Sequence, residues 1–283
     1  MRVEQRSPFA TGQTRFAHIV LGIFFIGILC PGAFATPFTT PAALLSHWTL
    51  GVDKVNTGNA APAPTSTFVS VSSDSSTPPD SHGAVGPNHI LTQTNSLSRV
   101  HDRAGNLLSS TGIKNFWSGL GISDVFDPKV VYEPYIGRFV AVACAQRRSS
   151  ASGMLFGISE TSDPTGNWHL WLLDGDSSNT SWVDYPNIGF ISGRITFTGN
   201  LFTINDDSFT GSNIWTVDTA SAADGGSLTF QLQTITNAGG SLNPTVTYDA
   251  AETTQYIIRT GTANIFGTGR LQLYTLTGNI GSL

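Results

Sequence analysis

The sequence is short of charge, of cysteine and of long apolar runs, and each shortage narrows the reading. Only 12% of its 283 residues are Asp, Glu, Lys or Arg, with 14 basic against 19 acidic side chains and a net charge of −5. A mildly acidic chain is a poor electrostatic match for nucleic acid or anionic lipid, both of which need clustered cations. Two cysteines, Cys30 and Cys144, do not make a disulfide framework. No Ser/His/Asp elbow, phosphate-cradling glycine loop or sustained helical periodicity occurs.

Among the apolar stretches, "IVLGIFFIGIL" from Ile19 to Leu29 runs 11 residues, short of the ~20 that a spanning helix needs. It follows arginines at 2, 6 and 15 and precedes "AFA" at Ala33 to Ala35. That is the layout of an export signal with a small-residue cleavage site, which predicts cleavage after Ala35 and a secreted, extracellular protein with no membrane contact afterwards. Cleavage removes three arginines and one glutamate, leaving 248 residues with 11 basic and 18 acidic side chains, a net charge of −7. Cys144 is then the one remaining thiol, and its setting "FVAVACAQ" predicts a buried strand residue rather than a nucleophile.

Residues 36–77 are rich in Ala, Ser, Thr and Pro. They can bury too little to offset chain entropy, which predicts a low-complexity linker. Two ordered pieces are expected within it, a short helix with Thr40 as N-cap and Pro41 in its first turn, and a strand at "TFVSVS".

Residues 78–283 are all-β in texture: short segments of Val, Ile, Phe, Tyr and Thr broken by Gly, Asn, Asp and Pro. "ITFTGNLFTIND" predicts a hairpin turning at Gly199-Asn200. The segments "DPKVVYEPYIGRFVAV", "YPNIGFISGRITFT" and "NPTVTYDAAETTQYII" share Pro-x-(Val/Ile)-x-(Tyr/Phe), with prolines at 128, 186 and 244, spaced 58 residues apart both times. "HGAVGPNHILTQTN" fits an earlier copy, with Pro87-Asn88 turning between two strands and Asp102 to Asn106 making the next turn. Four copies of about four short strands each predict a β-propeller-like array of four-stranded antiparallel blades. A β-sandwich is the alternative. Because propellers usually close with about 4–8 blades, the array is expected to be complete with four or to be part of a larger, truncated ring.

Two resemblances can be placed on these residues. Pro78-Pro79-Asp80-x-x-Gly83-Ala84-Val85-Gly86-Pro87-Asn88-His89, then Asn95, Asp127-Pro128, Tyr132, Arg138 and "SDPTGNWHLW" from Ser162 resemble a largely uncharacterised family of secreted microbial proteins with propeller-like domains. The resemblance spans residues 78–283 and implies a fold without implying an activity. "SDPTGNW" is also similar to the Asp-box hairpin of sialidase-type propellers, with Ser162, Asp163, Gly166 and Trp168 in comparable roles, a compressed spacing and an intruding Pro164. That motif implies a braced turn between the outer strands of a blade, away from any active site.

Candidate chemistry is thin. Acids for general acid/base work are Asp80, Asp127, Asp184, Asp206, Asp207 and Glu133, with Asp127 and Glu133 the catalytic candidates. Asp127 and Asp184 precede repeat strands, where they can face a central channel or cap a turn, the simpler role. Arg138, Arg194 and Arg259 recur in the repeats at unequal offsets of 10, 8 and 15 from the prolines, which argues against their meeting at one point. His82, His89 and His101 with Asp80 lack metal-ligand spacing, so no metal site is assigned, although "NDDSFTGSN" from Asn205 offers oxygens to calcium. Aromatic rings such as Trp182 and Tyr185 suit stacking on sugars. The sequence therefore predicts a binding module for carbohydrate or another extracellular macromolecule, with Asp80, His82, Arg138, Trp182, Tyr185 and Arg194 as contacts and no cofactor. The alternatives are a glycan-active hydrolase or lyase on the same scaffold, and a structural module of a larger surface protein.

Overall fold

The computed structural model describes residues 2–6, 63–64, 66–72, 74–236, 239–260, 271–278 and 280. Their strands form four four-stranded sheets. The first contains β2 (His82–Val85), β3 (His89–Gln93), β4 (Leu97–Asp102) and β5 (Leu107–Gly112). The second contains β6 (Val125–Glu133), β7 (Arg138–Ala145), β8 (Gly153–Ser159) and β9 (Trp168–Asp174). The third contains β10 (Ser181–Ile191), β11 (Arg194–Thr203), β12 (Phe209–Asp218) and β13 (Phe230–Ile235). In the fourth the order is β14 (Asn243–Pro244), β15 (Gln255–Thr260), β16 (Leu271–Thr277) and, at the edge, β1 (Arg2–Arg6).

Strand pairs within the first three sheets are antiparallel, each strand beside its chain neighbour. The first strands of successive sheets lie side by side, β2 against β6, β6 against β10 and β10 against β14. Phe190 on β10 even bridges Val246 in parallel. Sheets that meet through their first strands are blades, and the architecture is the propeller-like array expected from the repeats.

Strand β7 explains why neighbouring blades need each other. Its odd-numbered residues Phe139, Ala141, Ala143 and Ala145 join a core shared with Leu91, Val100 and Trp117 of the first blade region. Its even-numbered residues Val140, Val142 and Cys144 join another core with Phe190, Phe197 and Trp215 of the third blade. The two-residue period of a strand thus sends alternate side chains into two inter-blade layers, each large apolar residue contributing about 1.5–3 kcal/mol on burial. Cys144 is fully buried, and burial pushes its thiol well above the ordinary value, so it is an inert packing residue.

The repeated prolines also have a structural reason. The register of β6 with β7 shifts between Phe126 and Lys129, and that of β10 with β11 between Asp184 and Asn187. Pro128 and Pro186 sit in these bulges, where a residue without an N–H is tolerated. The residue before each proline is left-handed, Asp127 at φ 54° and Tyr185 at φ 54°.

Several local expectations are corrected. Gly199 and Asn200 lie inside β11, and the hairpin turns at Ser192-Gly193 instead, with Gly193 at φ 78°. Gly199 is glycine for packing: a Cβ there would meet the Val183 side chain at 2.5 Å. "TFVSVS" forms no strand. It is held to the first blade through Ser70, whose hydroxyl donates to Thr92 Oγ1 at 2.9 Å and whose carbonyl accepts from Arg99 at 2.8 Å. Two short helices, α1 (Ile113–Phe116) and α2 (Thr219–Asp224), were not legible. The expected helix at Thr40 and the cleavage site at Ala35 lie outside the described residues. Of the expected leader only Arg2–Arg6 is described, as the edge strand of the fourth sheet. Among the described residues no helix is long and apolar enough to cross a membrane.

Candidate functional site

The bulges at the starts of β6 and β10 bring acids together. Asp127 stands in the β6 bulge and Asp184 opens the β10 bulge, while Asp80 precedes β2 in the left-handed region at φ 46°. The carboxyl groups of Asp80 and Asp184 both lie within hydrogen-bonding reach of the Asp127 carboxyl. Burial, then the charge of Asp184, then that of Asp80 raise Asp127 from the ordinary 3.8 to about 7. Like charges this close disfavour ionisation of the buried member, so Asp127 keeps its proton up to near neutrality.

Asn95 aligns two of these acids. Its Nδ2 donates to Asp80 Oδ2 at 2.6 Å and to the Pro78 carbonyl at 3.1 Å, and its Oδ1 accepts the Asp127 N–H at 2.6 Å. An equivalent device recurs two blades on, where Asn200 Oδ1 accepts the N–H of Ser241, itself left-handed at φ 60°. The asparagine therefore belongs to the architecture of the blade starts, and in the first blade it also orients a carboxylate. Beside Asp184, which accepts its neighbour's N–H at 2.9 Å, Tyr185 is 52% exposed. Asp127 itself makes no such local cap among the hydrogen bonds of the described residues; it faces the other two acids.

Next to this cluster lies a second group on the turns between the second and third strands. Arg148 donates through Nε to Asp207 Oδ1 at 2.9 Å and through a second nitrogen to Oδ2. The buried Trp182 donates its indole N–H to the same Oδ1 at 3.0 Å. Trp182 is thus a packing residue with its polar edge satisfied, and Arg148 is a surface cation whose charge reaches Asp184.

The other sequence-derived candidates lie elsewhere. Glu133 is at the opposite end of β6 from Asp127, six residues along the strand and roughly 20 Å away at ~3.3 Å per residue. Its carboxylate accepts the N–H groups of Tyr135 and Ile136 at 3.3 and 2.9 Å, so it caps the β6–β7 turn. Arg138 and Arg194 open β7 and β11 at that same far end. His82 accepts the Val130 N–H at 3.2 Å and links the first two blades; burial and then the charge of Lys129 hold its imidazole below the ordinary value. His89 lies 3.6 Å from Asp163, and His101 is buried against Phe68. The three histidines do not converge.

The calcium expectation at 205–213 meets acids already engaged: Asp207 with Arg148 and Trp182, Asp206 with Thr203 and with the Ser208 N–H at 3.1 Å. Among the described residues no group of three His, Cys, Asp or Glu is placed to hold a metal ion. The "SDPTGNW" segment joins β8 to β9, with Asp163 accepting the Thr165 N–H at 2.9 Å and Trp168 donating to the Pro164 carbonyl at 3.1 Å. It is a braced outer-strand turn.

Asp184 and Asn95 belong to the candidate site yet were absent from the sequence-derived contacts. Asp184 stood among the candidate acids, two residues ahead of a repeated proline, and Asn95 stood inside the resemblance motif.

No protein-family model matches the chain, and no curated protein matches it. Solved structures do. The arabinanase Arb43A of Bacillus subtilis is 18% identical, covering 71% of this chain and 73% of its own, with a TM-score of 0.41. The GH43 endo-arabinanase of Bacillus licheniformis is 17% identical over 71% and 72%, with a TM-score of 0.40. The endosialidase of phage phi92 is 12% identical over 71% and 36%, with a TM-score of 0.41.

Proposed function

We propose that the protein is an exported binding module for carbohydrate, taking its ligand at the blade-start face formed by Asp80, Asp127, Asp184 and Tyr185. The observation that carries this reading is the crowding of the three carboxyl groups. A carboxyl pair that hydrolyses a glycosidic bond flanks it, at about 5–5.5 Å for retention or about 6.5–9.5 Å for inversion. Asp127 instead sits within hydrogen-bonding reach of both partners. Such a group offers several acceptors and one donor to sugar hydroxyls, and an exposed tyrosine ring offers a face for stacking.

A second reading has its own support, because a carboxyl held at about 7 is suited to protonating a leaving group. The two are separated by measuring binding and turnover on the same polysaccharides. The binding reading expects affinity electrophoresis or calorimetry to detect retention that Tyr185→Ala and Asp127→Ala weaken at least tenfold, with no new reducing ends. Release of reducing ends by the wild type, abolished in Asp127→Ala, would replace it with hydrolysis.

A further inference from the structure

On the opposite end of the third blade, Arg194 lines a cleft of about 480 Å³ between the β10–β11 hairpin and the fourth sheet. Arg194 is only 8% exposed, yet among the described residues no carboxylate pairs with it. Its NH1 donates to the Leu276 carbonyl at 3.2 Å and its NH2 to the Gly278 carbonyl. Among the described residues these neutral carbonyls are the hydrogen-bond acceptors of the guanidinium, and neither supplies a negative charge. A largely buried cation that no carboxylate bonds directly is costly, and the usual remedy is an anionic partner. Asp218, directly across from Arg194 on β12 and the one acid lining the cleft among the described residues, turns its Oδ1 to the Ser221 N–H at 2.7 Å as the N-cap of α2.

We propose that this cleft binds a carboxylate group of a ligand, with Arg194 as the charged contact in a lining that includes Ser192, Thr253 and Thr277. The planar guanidinium suits a planar, singly charged carboxylate. The Asp218 carboxylate on the same wall disfavours a dianion such as phosphate. This cleft lies seven residues along β10 from Asp184, roughly 20 Å at ~3.3 Å per residue, so the inference does not depend on the blade-start site.

The test is a nuclear magnetic resonance titration of the full chain with glucuronate, acetate, glucose and inorganic phosphate, following the Arg194 side-chain N–H and the backbone of Ser192 and Thr277. Saturable shifts are expected with glucuronate and acetate, and none with glucose. Arg194→Met removes the charge but also the hydrogen bonds to the carbonyls of Leu276 and Gly278, so a second variant is needed. Ser192→Glu, at an exposed hairpin tip, brings an internal carboxylate to the cleft without touching the core. It should melt like the wild type and bind glucuronate at least tenfold more weakly. The proposal is overturned if the wild type does not respond to either carboxylate, if glucose or phosphate binds as well as glucuronate, or if Ser192→Glu binds as the wild type does.

Discussion

Asp127→Asn is the most informative single change. Asp127 is raised from 3.8 to about 7 by burial, Asp184 and Asp80, so the folded protein keeps its proton after the unfolded chain has lost it. Below pH 4 both states are protonated and the group contributes nothing to the pH dependence. Between about pH 4 and 7 the unfolded state binds fewer protons, and stability must fall as pH rises. Above 7 the penalty is complete. The interval from 3.8 to about 7 corresponds to about 4 kcal/mol at ~1.36 kcal/mol per pH unit. Solvent reaches this side chain, and screening reduces the expected penalty to about 2 kcal/mol. The amide of the variant would supply N–H donors to both neighbouring carboxylates and would not titrate. The stability of Asp127→Asn relative to the wild type should therefore rise by about 2 kcal/mol between pH 4 and pH 8, or about 4–8 °C in melting temperature for a domain of this size. Thermal melts of both proteins across that range read the difference directly. A difference that stays flat with pH would refute the raised Asp127 carboxyl and with it the site's chemistry.

Three further outcomes rest on the packing and the turns. Gly189→Ala places a Cβ 2.4 Å from the Thr245 carbonyl oxygen, where third and fourth blades meet; backbone cannot yield cheaply, and a loss above about 2 kcal/mol is expected in urea unfolding. Asn95→Ala removes the acceptor of the Asp127 N–H and the donor to Asp80, which should cost about 2 kcal/mol and weaken ligand binding more than Asn200→Ala does; equal effects on binding would make Asn95 merely architectural. At Asp176, burial opposes ionisation but the hydroxyl and N–H of Ser178 and the N–H groups of Thr180 and Ser181 outweigh it and hold the carboxyl far below the ordinary range. Its contribution is present at neutral pH and lost as pH falls through the acid range, so Asp176→Asn should cost about 1 kcal/mol at pH 7 and converge with the wild type in acid denaturation.

The blade pattern was legible because it is local. Alternation in "RFVAVACA" and the 58-residue recurrence of proline follow from the period of a strand and the repeat of a blade, and neither depends on which blades meet. The Asp102–Asn106 turn was legible for the same reason, since Asp102 caps the N–H groups of Ala104 and Asn106 within its own loop at 2.9 and 2.8 Å. Gly199-Asn200 misled because a Gly-Asn pair reads as a turn from chain neighbours alone. Its glycine is required by Val183, 16 positions away, across the inter-strand packing.

Sequence alone thus determined the all-β class, the repeat and the chemistry of individual turns, all of which rest on interactions within a few residues. Only the tertiary structure decided which charges meet. Asp80, Asp127 and Asp184 come from three different blades, and burial with the charges of the other two raises Asp127 to about 7. Glu133, six positions from Asp127 in the chain, is carried to the other end of the same strand and becomes a turn cap. Charge interactions act through space in a low-dielectric setting, and the distances that set them are made by blade packing rather than by the order of residues.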